Sequence, residues 1–177
     1  MKRTMLFLVL LVFLPIGCFP QQGDQNRWDL YKPRTLQSII DAHQEAVKEL
    51  ESDPSGYRNR ILLSSDSFQS TVTLVFLGKS RPLQGKRAEL LEYWKKMLKR
   101  SDDLVSIFGT EMLFREGKKE YWIAVQRPLL DPLPKEVAVG KPFTAYIIWM
   151  GAIQDGNCWE WLFAMNEFDP PTESSTP

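Results

Sequence analysis

The chain carries one histidine, His43. Proton chemistry near neutral pH would rest on that imidazole. His43 falls in the series Leu36, Ile39, Ile40, His43, Val47 and Leu50, whose three- and four-residue spacing puts all six on one face of a helix. An imidazole aimed from such a face into an apolar cavity is a candidate general base. The same imidazole packed on a filled core is a structural residue with a backbone or hydroxyl partner. No carboxylate falls beside it: Asp66 reads as a turn residue and Glu111 as mid-strand. The structural reading is therefore the expected one, and His43 is kept as the single weak catalytic candidate.

Other chemistry is sparse. One His and two Cys, Cys18 and Cys158, are too few for a zinc set, so no metal or other cofactor is expected. Leu77-Gly78-Lys79-Ser80 ends like a phosphate loop, but Thr73 stands where its first Gly belongs. There is no Gly-x-Ser-x-Gly nucleophile elbow. Cys158 lies beside Trp159 and reads as a small buried hydrophobe. Trp122, Trp149, Trp159 and Trp161 are the candidate lining of an apolar pocket or partner surface, with plain core packing as the alternative. Alternation along the last strand puts Trp159, Trp161, Phe163 and Met165 on one face. Leu162, Ala164 and Phe168 fall on the other, with Glu160 and Asn166.

The N-terminus addresses location. Lys2 and Arg3 precede an apolar run from Met5 to Leu14, too short to span a bilayer and typical of an export signal. Gly17-Cys18 directly after it resembles the lipobox of bacterial lipoproteins, with Pro15 where that family usually has Leu. The resemblance implies acylation of Cys18 and a mature chain anchored to the membrane, facing the periplasm. The alternatives are ordinary secretion of a free chain and an uncleaved anchor. Four segments follow: 1–17 signal peptide, 18–33 lipidated tether, 34–169 a single domain, and 170–177 a Pro/Ser/Thr-rich tail. Without the signal about 160 residues remain, enough for one well-filled core. Lys plus Arg and Asp plus Glu number 22 each, and the signal holds two of the basic residues. The mature charge near −2 offers nothing to nucleic acid. The expected partners are the membrane, through Cys18, and a protein of the envelope.

The elements that must position these residues are read from periodicity and turn signals. A helix is expected over 35–51, with Thr35 as N-cap and Ser38 at the reciprocal position. Strands are expected over 60–64 and 69–77, and a second helix over 86–100 with Leu90, Leu91, Trp94, Met97 and Leu98 buried. Two hairpins follow, 105–115 with 120–127 and 143–153 with 159–168. Between them, Pro128, Pro132, Pro134 and Pro142 mark a long surface connection, with a short extended piece at Val137–Val139. This order resembles the NTF2-like (SnoaL-type) cone. The local matches are Gly85-Lys86-Arg87-Ala88-Glu89-Leu90, similar to the opening of that family's last helix, and Asp155-Gly156-Asn157-Cys158-Trp159, similar to its final hairpin. The resemblance implies an α+β fold with two helices on a curved antiparallel sheet of about six strands. Helices with a small barrel of the OB or SH3 kind are the alternative. The expected function is a non-catalytic ligand- or partner-binding domain, with a small NTF2-like enzyme using His43 on an apolar substrate as the alternative.

Overall fold

The computed structural model describes residues 27–52, 60–63, 68–97 and 107–171. The signal, Cys18, most of the tether, the turn around Asp66 and the end of the tail lie outside them.

Thr35 opens helix α1 (Leu36–Ala42) through the expected capping box. Its hydroxyl accepts from the Ser38 N–H at 3.0 Å, and Ser38 Oγ accepts from the Thr35 N–H at 3.2 Å. One continuous helix was expected, but the run breaks at His43, and α2 (Gln44–Ser52) begins one residue later. The cause is the histidine itself. Its Nδ1 lies 2.7 Å from the Ile39 carbonyl, the acceptor its own backbone N–H would use in an α-helix. That N–H turns instead to Ile40 O at 3.1 Å. A side chain competing for the i−4 carbonyl is a recognised way to interrupt a helix.

The strands are β1 (Lys32–Pro33), β2 (Ile61–Leu62), β3 (Ser70–Pro82), β4 (Thr110–Glu116), β5 (Lys119–Val125), β6 (Pro142–Asp155) and β7 (Cys158–Asp169), with helix α3 (Gly85–Met97) between β3 and β4. They form one seven-stranded sheet, order β1-β3-β4-β5-β7-β6-β2, with a further pairing of β3 on β6. The fold is therefore α+β, helices on a curved and mostly antiparallel sheet, with seven strands rather than about six. The curvature comes from β3. Ser70–Val75 pairs with Ile147–Pro142 of β6, while Val75–Pro82 pairs with β4. A register irregularity between Phe76 and Ser80 contains Gly78 at φ +72°, and such bulges bend a strand. Pairing thus runs from β3 through β4, β5, β7 and β6 back to β3, with β5 and β7 in short parallel contact.

Both faces of the sheet are filled. The inner face carries Val72, Leu74, Phe114, Ile123, Ile147 and Phe163, closed off by Leu36 and Ile39 of α1. The stretch between the hairpins also closes it, and is not a plain surface connection. It forms a 3₁₀ turn (Arg127–Leu129) and helix α4 (Leu133–Glu136), and it buries Leu129, Leu133 and Val137 in the same cluster. Those three residues recur every fourth position, a helical stripe that the prolines disguised. No strand forms at Val137–Val139. On the outer face Leu90 and Leu91 of α3 pack with Ala124, Ile148, Leu162 and Ala164, and partly buried Trp94 joins them. Met97, expected on the same buried face, is exposed at the last residue of α3, and Leu98 lies outside the described residues.

Two irregularities re-aim side chains. Tyr146 pairs with Glu167 but Ile147 pairs with Met165, so β7 carries one extra residue, Asn166. A one-residue insertion flips every later side chain to the other face. Phe168 therefore joins the inner cluster rather than the outer face expected for it. Near the other end, Trp149 pairs with Phe163 and Gly151 with Leu162. Gly151 sits at φ +140°, and a Cβ there would lie 2.6 Å from the Leu62 carbonyl. Only glycine lets β2 cross so close.

Candidate functional site

The four candidate tryptophans divide between two places. Trp149 and Trp161 face the inner side with His43: ring centroids lie 3.9 Å apart for His43–Trp149, 6.4 Å for His43–Trp161 and 6.0 Å for Trp149–Trp161. Phe68 completes the cluster, 4.8 Å from His43. Trp159 lies at its rim and donates Nε1–H to Glu51 of α2 at 2.9 Å. Packing explains the group: the break at His43 turns the ring off the helix and onto the Trp149 ring. The indole N–H of Trp149 is buried with no hydrogen-bond partner among the described residues. No carboxylate among those residues contacts the imidazole, whose one hydrogen-bond partner is the Ile39 carbonyl. Cys158, expected to be buried, is exposed at the tip of the β6–β7 hairpin.

Trp122 belongs to the outer face and to different chemistry. Beside it on β4, Glu111 is fully buried, with no exposed side-chain surface. Arg81 stands opposite Glu111 across the β3–β4 pair and donates Nε–H to Oε2 at 2.9 Å. Arg87, from the first turn of α3, donates Nη2–H to the same oxygen at 3.3 Å. Its Nε stands 2.9 Å from Oε1, off line for a hydrogen bond, so that contact is an ion pair only. Arg87 Nη1 also reaches Glu160 of β7 at 3.4 Å. The Arg81 guanidinium lies over the Trp122 ring, 3.9 Å from its centroid. Glu111 thus ties β4 to β3 and α3, and Glu160 joins β7 to them through Arg87.

Burial holds the Glu111 carboxyl above the ordinary carboxylate range, against the opposing pull of Arg87 and Arg81. The hydrogen bond from Lys86 to Glu89, 2.8 Å, raises the Lys86 ammonium above its usual value. These charges edge an open groove of about 230 Å³, lined by Arg81, Gln84, Lys86, Arg87, Asp155 and Glu160. A larger groove, about 480 Å³, opens beside β1, but its charged groups serve the fold. Glu116 accepts from the Leu36 and Gln37 N–H groups at the start of α1, 2.9 and 3.3 Å. Arg34 donates to Gln69 O and Ser70 Oγ and lies over Phe68.

Sequence reasoning placed Glu111 mid-strand and assigned it no role. One signal was available: a lone carboxylate in the run Met112, Leu113, Phe114, whose every residue is apolar. A charge in a strand buried on both faces needs a partner. Nothing local says that the partners are 30 and 24 residues away. Among the described residues no three His, Cys, Asp or Glu side chains converge as metal ligands, and no helix is long and apolar enough to cross a membrane. No protein-family model matches the chain, and comparison with curated proteins and with solved structures likewise found no match.

Proposed function

We propose that this protein is a bacterial cell-envelope lipoprotein, anchored through Cys18, whose domain faces the periplasm and binds a ligand or an envelope partner without catalysis. The observation that carries the binding reading is Arg81. It is immobilised on Trp122 and Glu111 at the mouth of an open groove, and a fixed guanidinium in a groove is a recognition device. The strand ring lends support. Strands β3, β4, β5, β7 and β6 close back on β3, the order of a small barrel of the OB kind. Such barrels take oligonucleotides and oligosaccharides on the face of the second and third strands and at the loops joining strands one to two and four to five, so the likeness speaks for where a site would lie and not for what fills it. The groove falls at the corresponding loops, the start of α3 and the β6–β7 hairpin. The anchoring half of the reading rests on the apolar run and Gly17-Cys18.

The enzyme reading has less behind it. His43 spends one nitrogen on a backbone carbonyl and packs its ring on Trp149 and Phe68; a general base needs an open approach to its proton. The anchoring experiment is Cys18→Ser with acyl labelling and membrane fractionation. Loss of label and release of the domain are expected. Retention in the membrane without label would mean an uncleaved anchor and end the lipoprotein reading.

A further inference from the structure

We propose that the Arg81 groove binds a small zwitterion, holding its carboxylate on the Arg81 guanidinium and its cationic group against Asp155 and Glu160. The inference rests on the binding reading above and names its ligand.

Arg81 is the cation of the groove whose terminal nitrogens carry no polar contact among the described residues. Lys86 gives one N–H to Glu89, and Arg87 is drawn to Glu111 and Glu160. Arg81 gives only Nε to Glu111, and its two terminal nitrogens make no hydrogen bond among the described residues. Those nitrogens form the edge that meets both oxygens of a carboxylate at once. The Trp122 ring and the buried carboxylate already hold the group, so little rotamer freedom remains to be lost on binding. The arrangement is more than α3 needs for attachment, since Arg87 alone joins that helix to both Glu111 and Glu160.

The acidic side completes the match. Asp155 is exposed and makes no hydrogen bond or ion pair among the described residues, although its charge is felt by Lys86 across the groove. The Glu160 side chain is 40 % exposed, with one long contact to Arg87. Three cations and two carboxylates line the groove, and with Glu111 beneath them and Glu89 on Lys86 the carboxylates outnumber the cations by one. A dianion such as phosphate meets too little positive charge and two repelling carboxylates. A ligand with one charge of each sign meets a partner for both. The volume of about 230 Å³ is below the usual range of pockets for drug-sized ligands, and so suits a molecule of amino-acid size rather than a polymer.

The test is calorimetric titration of the full-length protein in detergent with L-alanine, acetate, methylammonium, inorganic phosphate and an acidic hexapeptide. L-Alanine is expected to bind saturably at millimolar concentration or below, with acetate and methylammonium each weaker by about tenfold or more. Arg81→Lys keeps the charge but loses the fork, and Asp155→Asn removes the acceptor. Each should weaken L-alanine by about tenfold. Asp155→Asn should leave the thermal midpoint in place, whereas Arg81→Lys, which also gives up the Nε–H bond to buried Glu111 and the Trp122 stack, should lower it. No binding of L-alanine, an unchanged affinity in Arg81→Lys, or tighter binding of phosphate or the peptide overturns the proposal. Should Arg81→Lys fail to fold, Asp155→Asn on the exposed hairpin decides alone. Absent binding in a protein still anchored through Cys18 sinks this inference only, whereas normal membrane retention of unlabelled Cys18→Ser sinks the lipoprotein reading.

Discussion

Replacing Arg87 with Met tests the buried cluster most directly. Met keeps much of the stem volume and removes the charge. The Glu111 carboxylate then stays fully buried with Arg81 as its one remaining ionic partner, 2.9 Å away. Removing one partner of a buried pair costs about 3–5 kcal/mol. Because Arg81 still neutralises one oxygen, the low end applies, about 3 kcal/mol near neutral pH. The pH dependence carries a sign. Burial already holds the folded-state Glu111 above its unfolded value, so between the two values the native state binds more protons and stability falls as pH rises. Arg87 is the largest opposing influence, and its loss pushes the carboxyl higher still. The deficit of the variant should therefore be greatest near neutrality and shrink as Glu111 takes up its proton in acid. Adding Glu111→Gln removes the stranded charge, so the double variant should be more stable than Arg87→Met alone near neutrality. Urea unfolding at about pH 7.5 and about pH 4.5, with unchanged m-values, reads all three effects. A deficit under about 1 kcal/mol, a deficit equal at both pH values, or a double variant below the single one would refute the reasoning.

Three further outcomes are expected. Gly151→Ala should lose at least about 2 kcal/mol in urea unfolding, because its Cβ would meet the Leu62 carbonyl at 2.6 Å with φ at +140°; a neutral substitution would mean that β2 does not cross there. His43→Gln gives up the ring contacts with Trp149 and Phe68 and should cost about 1 kcal/mol, change the near-ultraviolet tryptophan signal and leave ligand binding intact. Loss of all binding in a folded His43→Gln would return the histidine to the functional site. Cys158 is exposed, and a maleimide should label it fully without denaturant; a requirement for urea would place the thiol in the core.

Local rules carried the helices and strands because their information is local. The Thr35–Ser38 cap, the α3 stripe of Leu90 and Leu91, and the β6–β7 hairpin around Gly156 are all short-range patterns of polarity and turn chemistry, and they appear where the pattern put them. The faces of β7 were legible up to Met165 and wrong beyond it, since period-two reading has no means of sensing the inserted Asn166. The helix over 35–51 was legible as an apolar stripe. Its break was not, because a ring reaching its own helix's carbonyl leaves no mark on the spacing.

What the tertiary structure alone decided is which distant residues meet. The turn of β3 from β6 to β4 closes the sheet, and that closure puts Trp149 and Trp161 inside while leaving Trp122 outside with Arg81. Composition showed only that aromatics were plentiful. Glu111, Arg81, Arg87 and Glu160 come from three strands and a helix, and no spacing rule links them. Sequence periodicity is set by each element's own geometry, whereas a buried charge is placed by whichever opposite charges the packed elements bring within about 3–4 Å of it.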